Sequence, residues 1–148
     1  MILYLDTSAF AKLVLKEPET AVMRDLFDQA DYAVTSVITY PEATSALYRQ
    51  DREKGPVESR LTEWLATLDD RWRRCVRLPV TEQLAGRLVV THGLRGMDAV
   101  QLAAAVTLRA RVLEAAPEAT VSFATFDRPL LAAAAREGFA TFGGPLAT

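Results

Sequence analysis

The chain has 148 residues, half of them hydrophobic and 24% charged, with a formal net charge of −2. That balance fits one folded domain over residues 1–148 and excludes a disordered chain, while every apolar run is far shorter than the ~20 residues of a membrane span. A single cysteine, Cys75, rules out an internal disulfide, and the mild negative charge counts against a protein that grips nucleic acid by bulk electrostatics alone.

Residues 2–5 read as a short strand buried on both faces, because they are apolar without alternation. No basic segment precedes this run and no small-residue cleavage site follows it, so no signal peptide is expected, and the lone cysteine makes a reducing, cytoplasmic setting the simplest expectation. Asp6-Thr7-Ser8 comes next, then a helical pattern that Pro18 interrupts. A second helix is predicted over 19–30. Residues 32–37 are rich in β-branched side chains and predict a strand. Residues 40–53 predict a helix that Gly55-Pro56 ends. Another amphipathic helix, carrying Trp64, is predicted over 57–72. Residues 75–80 form a third strand broken at Pro79. Helices follow at 81–93 and 98–115, separated by His92-Gly93-Leu94-Arg95-Gly96. Residues 120–126 predict a strand, 128–137 a helix, and 139–142 a short last strand before Gly143-Gly144-Pro145. Strands alternating with helices indicate an α/β domain with a central, mainly parallel sheet and helices on both faces. The small-residue run 103–105 fits a helix lying close against that sheet.

Four acids fall at similar places in this order. Asp6 ends the first strand, Glu42 stands early in the helix after the second, Asp98 opens a long helix after a glycine-bracketed turn, and Asp127 ends the strand 120–126. Ligands of open parallel sheets bind outside the carboxyl ends of the strands, where Asp6 and Asp127 would meet. Helix capping explains each acid singly: Asp6, Asp98 and Asp127 precede helical patterns, and Thr39 and Glu42 have capping-box spacing. It does not explain the set, since Ser, Thr or Asn would cap as well. Like charges 4 Å apart repel by about 4 kcal/mol at an effective dielectric of 20, so converging carboxylates need protons or a cation. An all-oxygen site suits Mg²⁺ or Mn²⁺. Phosphatases with an aspartate nucleophile typically place a second Asp two residues on; Ser8 stands there instead.

The segments DTSAF (6–10), PEATSAL (41–47), GMDAVQLAAA (96–105) and FATFDRPL (123–130), in this order and spacing, resemble the PIN domain, and in particular the VapC toxins of type II toxin–antitoxin pairs. The resemblance spans essentially the whole chain. It implies a three-layer α/β/α fold and an endoribonuclease dependent on Mg²⁺ or Mn²⁺, with the acidic tetrad on Asp6, Glu42, Asp98 and Asp127. Asp6 and Asp98 match the positions that hold metal most directly. Ser8 and Thr125 match hydroxyl positions that orient carboxylates or contact a phosphate. The resemblance also implies hydrolysis to a 5′-phosphate and a 3′-hydroxyl, a homodimer, and a separate VapB-like antitoxin. Gln101 departs from the pattern, since many relatives carry His there. A PIN-like module that binds RNA or protein without cutting, and a metal-dependent phosphatase, are the alternatives.

The remaining candidates have plainer readings. His92, the only histidine, is expected at the surface and Cys75 in the core. Trp64 and Trp72 are expected to pack rather than stack on bases. Arg71, Arg73 and Arg74 either track an RNA backbone or form a solvated helix end. Lys12 and Arg95 lie near the acidic segments and are candidate phosphate contacts. No P-loop, dinucleotide fingerprint or zinc-ligand spacing is present.

Overall fold

The computed structural model describes residues 1–144. The first strand, β1 (Ile2–Leu5), enters helix α1 (Thr7–Lys12) through Asp6, whose side chain accepts from the Ala9 N–H. Helix α2 (Thr20–Gln29), strand β2 (Tyr32–Ser36) and helix α3 (Thr39–Lys54) follow. The single helix predicted over 57–72 divides into a 3₁₀ turn, Pro56–Glu58, and helix α4 (Leu61–Arg73). The buried Asp51 carboxylate makes this break by accepting from the Ser59 hydroxyl at 2.8 Å and the Arg60 N–H at 2.7 Å. Strand β3 (Cys75–Leu78) stops just before Pro79. Helix α5 (Glu82–His92) ends at Gly93, whose φ of +66° is a left-handed cap that glycine adopts without a Cβ penalty. Helix α6 (Gly96–Ala115), strand β4 (Val121–Ala124), helix α7 (Arg128–Arg136) and strand β5 (Ala140–Phe142) complete the order. Of the turn expected after β5, Pro145 lies outside the described residues.

All four strand pairings are parallel, in the order β3-β2-β1-β4-β5. The mainly parallel sheet of the sequence reading is thus wholly parallel. Successive β1 residues point to opposite faces. Leu3 and Leu5 pack with α1, Met23, Phe27, Leu47 and Leu68, while Tyr4 packs with Leu88, Leu102, Phe123 and Leu130. Helices α1–α4 therefore cover one face and α5–α7 the other, a three-layer α/β/α arrangement. Ala103, Ala104 and Ala105 are essentially fully buried, which lets α6 lie close to the sheet as their small size suggested. No described helix is long and apolar enough to cross a membrane.

The chain winds outward from β1 to β3, then returns through α5 and α6 to start β4 on the other side of β1. Strand order thus reverses between β1 and β4. The crevice outside the carboxyl ends at such a reversal is where open α/β sheets bind their ligands.

Candidate active site

Asp6 leaves the end of β1 and sits at the floor of that crevice, buried. Its carboxylate accepts from the Ala9 N–H at 2.9 Å, from Ser8 Oγ at 2.8 Å and from Thr125 Oγ1 at 2.6 Å. Both hydroxyls in turn accept backbone N–H bonds from the segment after β4: Phe126 N–H reaches Ser8 Oγ at 2.8 Å and Asp127 N–H reaches Thr125 Oγ1 at 3.1 Å. Each hydroxyl thus passes a bond from one turn to the other, and together they tie the β1–α1 and β4–α7 turns around one carboxylate. Burial nevertheless pushes the Asp6 carboxyl up to about 6; the three donors oppose the rise, and the charge of Asp127 adds to it.

The other acids line the same crevice. Asp127 caps α7 by accepting from the Leu130 N–H at 2.9 Å. Asp98 lies in the first turn of α6, whose cap position is Arg95 and makes no side-chain cap bond. Arg95 spans the two acids, 3.5 Å from Asp98 and 3.6 Å from Asp127. Burial raises the Asp98 carboxyl above its ordinary range, Asp127 and Glu42 raise it further, and Arg95 opposes them. Glu42, in the first turn of α3, accepts from Thr7 Oγ1 at 2.8 Å. Capping therefore accounts for Asp6 and Asp127 but not for Asp98 or Glu42. Thr39 does not form a capping box either; its hydroxyl bonds Thr35 and Gln101.

The donor set can be tested against a hard divalent cation. A carboxylate offers about four lone-pair directions, and the three donors on Asp6, with Ser8 Oγ shared between its two oxygens, leave it capacity for one further partner. Among the described residues, no three His, Cys, Asp or Glu side chains come close enough to enclose an ion by themselves. The acids thus fit an ion that takes one or two carboxylates and keeps several waters, the habit of Mg²⁺. Mutually repelling, partly buried carboxylates are also the charge such an ion neutralises.

The family model described as the PIN domain matches residues 3–142. The chain belongs to the PIN-domain family. Among curated PIN-domain relatives it is similar to Ribonuclease VapC45 of Mycobacterium tuberculosis, 39% identical over 110 residues, which cover 72% of this chain and 76% of the relative. Ribonuclease VapC47 of the same organism is 33% identical over 147 residues and 95% of each chain. Solved structures with the same fold include PAE2754 from Pyrobaculum aerophilum, with a TM-score of 0.65 and 21% identity over 95% of this chain and 83% of that one. VapBC2 from Rickettsia felis, solved with a DNA fragment from its promoter, superposes with a TM-score of 0.61 and 14% identity over 97% and 98%.

Other sequence candidates resolve by position. Lys12 is held by Glu17 and, at 3.1 Å, by Glu19, with its ammonium over the Phe126 ring. His92 is not a free surface residue: its side chain is buried and meets the Glu137 carboxylate at 2.7 Å. Cys75 is a core thiol, pushed by burial up to about 12. Trp64 is buried, and Trp72 meets Phe10 and Tyr40 edge-on, so both pack the helical layer. Gln101 is the group whose place the sequence left open. It is buried on α6 and bonded to Tyr4, Thr7 and Thr39. A lone amide in an otherwise alanine-rich helix was the available signal.

Proposed function

We propose that this chain is a Mg²⁺- or Mn²⁺-dependent endoribonuclease, the toxin of a VapBC-type pair, which hydrolyses RNA phosphodiesters to a 5′-phosphate and a 3′-hydroxyl. The observation that carries the reading is that Asp6, Glu42, Asp98 and Asp127 face the crevice between β1 and β4, where Asp127 raises the Asp6 carboxyl and Asp127 and Glu42 raise that of Asp98. The similarity to curated proteins named ribonuclease supports the choice of RNA.

Asp6 and Asp98 would hold the cation, with Glu42 and Asp127 completing its surroundings. Held there, such a cation would supply positive charge beside the phosphate and lower the pKa of nearby water. Ser8 and Thr125, by donating to the Asp6 oxygens, would hold that carboxylate in place for the cation. Asp127 and Glu42, fixed by the Leu130 N–H and the Thr7 hydroxyl, accept protons from attacking water or orient it for in-line displacement. Arg95, exposed at the rim, supplies a cation for a non-bridging phosphate oxygen. The likeness to VapBC2 further supports a separate antitoxin, and the VapC resemblance supports a homodimer.

The test is cleavage of RNA by the purified chain with Mg²⁺, with Mn²⁺ and with EDTA, beside a small phosphomonoester. RNA cut only with metal, with 5′-phosphorylated ends, is the expected result. Unimpaired cutting in EDTA, or turnover of the phosphomonoester alone, would overturn the reading.

A further inference from the structure

Gln101 lies at the junction of α6, β1 and α3, is 2% exposed, and has its amide oxygen and both amide hydrogens engaged. Tyr4 donates its phenol to Gln101 Oε1 at 2.7 Å. An amide oxygen can only accept, so the phenol is the donor. The amide oxygen is thereby fixed, and both amide hydrogens point the other way. One reaches Thr7 Oγ1 at 3.1 Å and the other Thr39 Oγ1 at 3.0 Å.

Counting hydrogens sets the direction of the rest. A threonine hydroxyl has one hydrogen. Thr7 accepts from Gln101, so its own hydrogen is free for the Glu42 carboxylate, 2.8 Å away. On the second branch, Thr35 is 2.7 Å from the Leu5 carbonyl, which can only accept. Thr35 spends its hydrogen there, and the 2.8 Å contact between Thr35 and Thr39 runs from Thr39. One amide thus orders two chains. The first ends on the Glu42 carboxylate. The second ends on the carbonyl of the residue before Asp6.

We infer that Gln101 is a positioning residue that aims the Glu42 carboxylate into the crevice through the hydroxyl of Thr7. The role rests on the nuclease reading of that crevice. Only a side chain with one acceptor and two donors satisfies Tyr4, Thr7 and Thr39 together. A neutral imidazole has one of each and would leave one of the three unpaired. Apolar replacements would strand the Tyr4 phenol and both threonines, a cost that concerns folding rather than position. Thr7 is partly exposed, so its hydroxyl can be removed with less risk to the fold.

The experiment compares the wild-type chain with Thr7→Val, Thr7→Ser and Gln101→His, each also in a Glu42→Ala background. Three quantities are read: Mn²⁺ affinity by calorimetry without RNA, kcat and KM for RNA, and thermal midpoint. Thr7→Val and Gln101→His are expected to weaken Mn²⁺ binding and lower kcat by about 10–100-fold, the usual effect of removing a group that holds a ligand in place. KM stays near the wild-type value, and Thr7→Ser restores both quantities. In the Glu42→Ala background the same changes add little. Undiminished Mn²⁺ affinity in Thr7→Val and Gln101→His, or losses that persist in full without Glu42, would overturn the assignment. A wild-type chain that binds Mn²⁺ yet cuts no RNA sinks the nuclease reading alone, because the binding cycle still scores Gln101. A wild-type chain that binds no Mn²⁺ overturns both.

Discussion

Two demands meet on the Asp6 carboxyl. It must be ionised to hold a cation, yet burial raises it from the ordinary 3.8 to about 6. In the unfolded chain the group loses its proton at the lower value. Between the two values the folded chain keeps a proton that the unfolded chain has released. The contribution of Asp6 to stability is therefore full below about pH 4 and is lost as pH rises through about 6. The difference corresponds to about 3 kcal/mol for a fully buried group. Asp6→Asn keeps an oxygen for the Ala9 N–H and carries no charge. In EDTA at pH 7.5 it is expected to be more stable than wild type by roughly 1–3 kcal/mol, read by denaturant unfolding. The same variant is expected to lose metal-dependent cleavage. A destabilised variant, or one that still cuts, would contradict the site. Cation binding must displace the same proton. Mn²⁺ affinity of the wild type should therefore fall about tenfold per pH unit below pH 6. An affinity flat between pH 7 and 5 would show that Asp6 is not a ligand.

At the scale of elements, the end of β5 bears directly on the site. Gly143 has a φ of +132°, and a Cβ there would lie 1.6 Å from the Thr125 carbonyl oxygen. Thr125 N–H also donates to the Phe142 carbonyl at 2.9 Å. Gly143→Ala must move either the strand end or Thr125, whose hydroxyl holds Asp6. A loss of about 2–3 kcal/mol is expected, with weaker cleavage in the folded fraction. Wild-type stability in that variant would show that the close approach is not a constraint. In the sequence Gly143-Gly144 reads only as punctuation, because a contact with a residue 18 positions earlier leaves no local mark. The same limit explains the helix predicted over 57–72: its break depends on Asp51 reaching Ser59 and Arg60, a tertiary capture rather than a propensity. Thr39 and Glu42 show the converse. Their spacing fits a capping box, but Thr35, Gln101 and Thr7 bond them instead. Elements set by periodicity or by proline and glycine, such as β1, β4, α5 and α7, were readable to within a few residues.

For the whole molecule, the alternation of strands and helices makes the parallel sheet readable, but not its order. That Asp6 and Asp127 are neighbours follows from the reversal between β1 and β4, which only the packed sheet displays. The order also decides between two sets of arginines. Arg71, Arg73 and Arg74 end α4 just before β3, so they lie at the amino edge of the sheet. The acids lie at the carboxyl edge, four or five strand residues away, or about 13–17 Å. Arg74 is moreover engaged with Asp28 at 2.8 Å and lies over the Phe27 ring, and Arg73 is 3.9 Å from Asp70. Arg73→Ala and Arg74→Ala should therefore leave kcat/KM for RNA unchanged. Arg95 differs, because its side chain is 84% exposed while its guanidinium faces two of the acids. Exposed pairs of this kind contribute about 0–1 kcal/mol, so it can be released at little cost when a cation arrives. Arg95→Ala should then move two measurements in opposite directions. Mn²⁺ binding tightens by up to about fivefold, since a competing positive charge is gone. KM for RNA rises, since a phosphate contact at the crevice rim is gone. Tighter metal with unchanged KM would leave Arg95 as a counter-ion only, and unchanged metal affinity would remove it from the site altogether.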